Sequence, residues 1–441
     1  MSDLLRKIST FGLTMIAVGA CIGSGIFLTP SMIAESLMSE TGVIAIWAFG
    51  GFVALCGALS FAELGVRFPR SGGVYVFLRE CYGELVAFLY GWTILTVVTS
   101  GAIAALSLAF ARYIDFLVPL GQNGMVILAI AGIIVVTVIN VRGVDHAEMF
   151  SNIFTVVKLI GIVVVAVSGL IWATEAIDWR PALNLSDHSA SAAFSGAMIG
   201  IVWSFGGWHH ASYVAGEVRD PQRSVPRAMI LGTIIVTVMY VLANLAYLYL
   251  LGVEGMATST AVASDALSGV FSFGAVLVAV LIAISTFGSK GIYTLTAPRI
   301  YFAMAKDGVF FKQLAQVHPK FNTPALAILL QSGWAIILVI FWQTFENIIT
   351  YVVFMDWVFM ALATITIFYF RKRYARHPKY STPLYPVTPI IFIVISSAFL
   401  IVTLYHQPSQ ALAGLFLLTI GILVFRIFYR KKHREPDSTE S

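Results

Sequence analysis

Two glycine breaks inside long apolar segments hold the residues best placed to do chemistry. The first is Gly23-Ser24-Gly25-Ile26-Phe27, flanked by apolar residues from Phe11 to Ile22 and from Ile26 to Ala34. The second, Phe205-Gly206-Gly207-Trp208, lies about 182 residues further on. A helix interrupted at such a point gains two new ends, each with unpaired backbone groups and about half an elementary charge. Read from inside to outside, the first half-helix ends in carbonyls near Ala20, Cys21 and Ile22. The second half begins with the amides of Ser24, Gly25 and Ile26. Amides favour a carboxylate, carbonyls favour an ammonium, and Gly23 and Gly25 let a ligand approach the backbone. The outer half of the second broken segment ends near Trp203, Ser204 and Phe205, adding carbonyls on the amine side, with Gly206 at the turn. This polarity suits an α-amino acid. The competing use is helix packing, for which Gly19 and Gly23 have the small-xxx-small spacing.

Side chains near the breaks extend the reading. Trp203 is placed to gate the site or to stack on a substrate side chain, whereas Trp208 reads as packing. Lys158 sits among Val156, Val157, Leu159 and Ile160, where a cation needs a partner or a cavity. It is expected to bridge helices 1 and 8 where a sodium ion would otherwise sit, with oxygens from Ser285-Thr286-Phe287-Gly288-Ser289, chiefly Ser285 and Ser289. A coupled proton is its other possible cargo. His209 and His210 line the inner pathway or titrate, or equally are packed or solvated. Lys290 has three uses: binding anionic side chains, pairing with Asp356, or, first, lining the cytoplasmic vestibule. Asp356 has two: a functional one, or bonding to backbone near its own helix. Glu63 reads as structural.

The elements that position these residues are transmembrane helices. Of the 441 residues, 59% are hydrophobic and 11% charged, whereas a soluble domain carries about 25% charged residues. Twelve apolar segments are expected: 9–34, 42–66, 84–113, 124–141, 152–173, 193–216, 226–252, 268–304, 323–342, 346–370, 387–405 and 409–429. The first is too rich in internal glycine, and too poor in a cleavage site, to read as a signal peptide. No soluble domain is expected. With both termini cytoplasmic, 23 of the 27 Lys and Arg fall inside; Arg112 and Arg180 fall outside, and Lys158 and Lys290 within segments. The net charge of +5 therefore reports topology and implies no nucleic acid partner. Cys21, Cys56 and Cys81 lie in no external loop, so no structural disulfide is expected. No cofactor is expected either, and no cluster of metal-ligating or catalytic residues recommends an intramembrane enzyme.

Segments 1, 2 and 3 and segments 6, 7 and 8 begin about 184 residues apart, and the two breaks match. Five helices separate the matched positions, an odd number, so the second set enters from the opposite face. The fold class expected is an all-α polytopic membrane protein of twelve transmembrane helices. It has a five-plus-five inverted repeat with helices 1 and 6 broken and helices 11 and 12 appended. The units are residues 1–173, 174–380, and 381–441 with a basic cytoplasmic tail.

These residues resemble the amino acid–polyamine–organocation superfamily, and within it the L-type branch: light chains of heteromeric amino acid transporters and their bacterial relatives. The similarity runs through GSGIF at 23–27, AELG at 62–65, SGGVY at 71–75, Lys158, and FGGW at 205–208. It continues through Glu217, Asp220-Pro221, Arg223, Pro226, VLANLAY at 241–247, STFGS at 285–289, Arg299 and Asp356-Trp357. The resemblance implies a LeuT-like fold, alternating access in a plasma or bacterial inner membrane, and sodium-independent exchange of amino acids. It implies substrate contacts at Ser24, Gly25 and Ile26, a gating aromatic at Trp203, and a sodium-replacing cation at Lys158. The stretch from Arg112 to Gly124 lacks the external cysteine that joins light chains to a heavy chain, so no disulfide-linked heavy chain is expected. Neutral L-amino acids are the expected substrates, with proton-coupled import or exchange of cationic amino acids or polyamines as alternatives. His209 and Lys290 stand where the family leads one to expect apolar or amide residues.

Overall fold

The structure, a computed structural model, describes residues 4–179, 190–342, 346–374, 378–406 and 408–434; Arg180 and residues 435–441 of the basic tail lie outside them. Every named element is helical. In chain order they are α1 (Thr10–Cys21), α2 (Gly25–Leu28), α3 (Pro30–Leu37), α4 (Glu40–Arg67), α5 (Val74–Tyr82) and α6 (Glu84–Thr93). A π-helical turn, Ile94–Val98, joins α6 to α7 (Thr99–Leu117). Then come α8 (Gly121–Val141), α9 (Val144–Ile171), α10 (Ala190–Phe205), α11 (His210–Tyr213), α12 (Pro221–Thr258) and α13 (Val262–Ser268). The remainder are α14 (Gly274–Thr296), α15 (Pro298–Lys306), α16 (Ala325–Trp342), α17 (Glu346–Arg373), α18 (Val387–His406) and α19 (Pro408–Arg434). Among the described residues nine helical spans are long and apolar enough to cross a membrane. The sixth, ninth and twelfth expected segments fall on α10, α16 and α19, whose described apolar stretches are shorter.

The local sequence explains where helices start, stop and bend. Ser9 caps α1 by accepting from the Gly12 amide, and Ser39 caps α4 through the Gly42 amide. Gly252, at φ +66°, ends the regular part of α12 where the seventh apolar segment is expected to end. Pro298 opens α15 at its first turn and separates it from α14. Apolar side chains such as Ile127 on α8, Ile160 on α9 and Ile401 on α18 stand more than half exposed on the outside of the bundle, a pattern suited to lipid and costly in water.

Inside the bundle, α1 packs against α9, α12 and α14, and α10 packs against α4 and α17. The long α4 lies along α12, and α7 along α14. Exchanging the first five segments for the second five maps several contacts onto others: α9 with α14 onto α17 with α7, α8 with α14 onto α16 with α7, and α1 with α9 onto α10 with α17.

The end of the bundle that carries the cytoplasm-assigned charges is tied by ion pairs. Arg299 of α15 and Glu217 are fully buried and form a forked pair, Nε to Oε1 at 2.6 Å and Nη2 to Oε2 at 2.9 Å. The backbone of Glu217 also takes the amides of Lys7 and Ile8, at 2.8 and 2.9 Å, so the amino-terminal segment is laced to the stretch after α11. Glu63 on α4 accepts from Arg371 of α17, from Arg67 and from the Thr382 amide, which is the structural part expected of it. Removing one member of a buried pair strands the other charge, at a cost of about 3–5 kcal/mol. Glu217→Ala should therefore sharply lower the melting temperature of detergent-purified protein, and Glu217→Leu with Arg299→Leu should recover part of it. A single variant as stable as the wild type would contradict this role.

Candidate functional site

The two breaks meet and lock together. α1 stops at Cys21, and the chain resumes helical form at Gly25; α10 stops at Phe205, and the turn Gly206 to His209 leads into α11. A Cβ on Gly207 would lie 2.6 Å from the Ala20 carbonyl carbon, and its φ of +125° suits glycine alone. On the other side, a Cβ on Gly25 would come within 2.8 Å of the Ser204 Cα. Glycine at these points thus lets one break cross the other, rather than only leaving room for a ligand.

The carbonyls at the inner end of α1 are mostly claimed by protein groups. Lys158, fully buried on α9, donates to Gly19 O at 3.0 Å, Ile22 O at 2.6 Å, Ser285 O at 3.3 Å and Ser289 Oγ at 2.8 Å. Ser285 Oγ in turn donates to Gly23 O at 2.9 Å, and Ser289 Oγ to Gly19 O at 2.7 Å. Within the hydroxyl-rich run only these two, one helical turn apart, face the lysine. Thr286 bonds back to Ile282 O of its own helix. Gly19 serves close packing: a Cβ there would strike Thr155 of α9 and Ile292 of α14.

Two tyrosines complete the lock. Tyr240 of α12 directs its hydroxyl to both Cys21 O and Ser204 O, each at 2.9 Å, and so ties the ends of both broken helices. Tyr293 of α14 donates to Ala20 O at 3.0 Å. Neither tyrosine is among the residues expected from the sequence. The signal that could have found them is a phenol deep in an apolar helix, which needs a hydrogen-bond partner. Of the carbonyls expected to await an ammonium, Ile22 O already accepts from Lys158, Ser285 and Ser289, and Cys21 O from Tyr240 and the Gly23 amide; only Ala20 O, which takes Tyr293, keeps a second lone pair. Ser204 Oγ lies 3.0 Å from Thr29 Oγ1, and the Phe205 ring packs on Tyr240 at 5.1 Å between centroids.

Beyond the lock the backbone of the first break is open. Among the described residues no acceptor pairs with the amides of Ser24, Gly25 or Ile26, and the buried Ser24 hydroxyl also lacks a partner. Three amides and a hydroxyl form an acceptor-seeking cluster suited to a carboxylate. Beside the second break lies a cavity of about 40 Å³. Trp203, Gly206, His209, Asp356 and Trp357 line it, together with Val98 and Thr99 at the end of the π-turn.

The remaining candidates separate. His209 Nε2 faces Asp356 Oδ2 at 4.0 Å. His210 bonds through Nδ1 to Thr296 Oγ1 at 2.6 Å and stacks on Tyr293. Trp208 packs edge-on against Phe61. Lys290 pairs with neither Asp356 nor any wall of the cavities described. It is buried between α7, α8 and α14, with Nζ 4.4 Å from the Phe110 ring centre and 4.5 Å from that of Phe287. Gly132 leaves it room, since a Cβ there would fall 2.3 Å from Nζ. The expectation of a vestibule lysine gives way to a cation lodged between phenyl faces.

Comparison with known proteins places this arrangement: residues 8–425 match the family described as amino acid permease. The chain belongs to that family. The permease is 33% identical to the serine/threonine exchanger SteT of Bacillus subtilis, over 96% of each chain. It is 29% identical to the b(0,+)-type amino acid transporter 1 of Mus musculus, over 98% of this chain and 89% of that protein. With the human cystine/glutamate transporter it shares 28% identity, over 97% and 86%. The permease is thus a multi-pass membrane transporter of the amino acid permease family, and not an enzyme.

Lys158→Met should leave the Gly19 and Ile22 carbonyls short of their charged donor and cut exchange at least tenfold, with the protein still monodisperse by size exclusion. Unchanged exchange would remove the lysine from the mechanism. Gly25→Ala should lower both transport and melting temperature by wedging Ser204 away; a change in substrate affinity alone would indicate instead that this glycine only makes room for ligand.

Proposed function

We propose that the protein is a sodium-independent antiporter that exchanges small neutral L-amino acids by alternating access. The observation that carries this reading is Lys158: a fixed ammonium donates to Gly19 O and Ile22 O of α1 and to Ser285 O and Ser289 Oγ of α14. A cation at this point does what a bound sodium ion would do, joining the broken helix to α14, but it cannot dissociate with each cycle. The substrate carboxylate would take the amides of Ser24, Gly25 and Ile26, with Gly23 leaving room. Its ammonium would take the free lone pair of Ala20 O and those at the α10 end, near Ser204 and Phe205, with Gly206 at the turn, because Ile22 O is already filled by Lys158, Ser285 and Ser289. Trp203, on the wall of the adjoining cavity, is the gate. The serine/threonine exchanger among the relatives supports small neutral substrates and exchange.

The exchange symmetry of the helix contacts supports a five-plus-five inverted repeat divided as residues 1–173 and 174–380, with residues 381–441 appended. Twelve crossings with both termini cytoplasmic follow from the charge distribution, in a plasma or bacterial inner membrane. The stretch from Arg112 to Gly124 carries no cysteine, and the carrier is proposed to work without a disulfide-linked heavy chain.

Reconstituted protein should exchange labelled serine for internal serine equally well in sodium and in choline medium, and should not accumulate it without internal amino acid. Uptake that collapses in choline would overturn the reading. Accumulation driven by an acid-outside gradient into empty vesicles would replace exchange with proton coupling at Lys158, the alternative that its buried ammonium favours.

A further inference from the structure

The cavity beside the second break has one wall whose polar groups differ in kind from the rest. Tyr293 spends its hydroxyl on Ala20 O, and His210 spends Nδ1 on Thr296. Asp356 is different. It is 8% exposed, its Oδ1 has no hydrogen-bond partner among the described residues, and its Oδ2 stands 4.0 Å from His209 Nε2. That separation is too long for a direct hydrogen bond, which needs about 2.7–3.2 Å. It is close to the span that a single oxygen makes when it donates to one group and accepts from the other. A buried carboxylate without its full set of donors is costly, so something that donates belongs there.

We propose that Asp356 and His209 form the side-chain subsite of the transporter and select amino acids that carry a hydroxyl on the β-carbon. The proposal rests on the amino acid exchange set out above and names the substrate class for that site. A hydroxyl is both donor and acceptor, so it can give its proton to Asp356 Oδ2 while accepting from His209 Nε2–H. A hydroxyl serves either tautomer of His209, whereas an ammonium, which only donates, is unmatched by the Nε2–H form. Gly206, at the turn of the second break, lines the same cavity as Asp356.

Threonine and valine have nearly the same shape and differ by this hydroxyl, so they form the test. A site that hydrogen-bonds a substrate hydroxyl discriminates strongly against the analogue without it, because its own polar groups are left unpaired. In proteoliposomes of the wild-type protein, threonine should inhibit labelled serine exchange at a concentration at least tenfold below that of valine. In Asp356→Leu the ratio should fall to about two. His209→Leu should narrow the ratio as well, a second reading should Asp356→Leu fail to fold. Wild-type protein that takes valine as readily as threonine overturns the proposal, as does a variant that loses serine and alanine exchange in equal measure and keeps its threonine preference, the mark of a water-bridged structural pair. Wild-type vesicles that exchange no amino acid at all would instead overturn the antiporter reading itself.

Discussion

Breaking a helix inside hydrocarbon strands backbone carbonyls that water cannot reach, and the arrangement of this protein turns on how those of α1 are satisfied. Lys158 carries the largest share. It reaches across from α9, takes Gly19 O and Ile22 O, and holds Ser289 and Ser285 of α14 against the same point. A full positive charge at the negative end of a half-helix gains from the dipole as well as from each hydrogen bond. Its desolvation is offset only because every direction it faces offers an oxygen. Around it the lock closes through neutral groups: Tyr240 on both breaks, Tyr293 on Ala20, and glycine at Gly25 and Gly207 where the backbones nearly touch.

This division of labour has a consequence for transport. The groups that hold the bundle together consume the carbonyl side of the first break, whereas the amide side, Ser24 to Ile26, keeps its donors unpaired. In the proposed reading the substrate carboxylate therefore takes the pole that the lock leaves free. The cavity of about 40 Å³ beside the second break has room for roughly three waters, so a bound amino acid requires the walls near Trp203 to move apart. Alternating access demands the same of them.

Much of this was legible in the sequence, for physical reasons that differ from residue to residue. The breaks were readable because glycines clustered inside a membrane segment interrupt a helix where unpaired backbone is costly, and Lys158 because an intramembrane cation is costly too. Ser285 and Ser289 were readable as the ends of a hydroxyl-rich run able to supply oxygens to that lysine. What the sequence hid were relations between distant segments. Tyr240 lies 36 residues past Ser204 and 219 past Cys21, and nothing in its neighbourhood marks it as the link between them. Gly25 announced an open space, but its neighbour is Ser204. For Lys290 the sequence favoured the cytoplasmic vestibule over pairing with Asp356; the packing of α7 and α8 enclosed the lysine in phenyl rings and left the aspartate facing His209. Charge predicts that a partner exists, while only the fold decides which.

The central claim is that a permanent lysine holds the broken helix where a sodium ion would otherwise be required. Equilibrium binding of labelled serine to purified protein tests it most directly, measured in sodium and again with sodium fully replaced by choline. The dissociation constants should agree within about twofold. Affinity that falls tenfold or more in choline would mean that an ion, and not Lys158, completes the site.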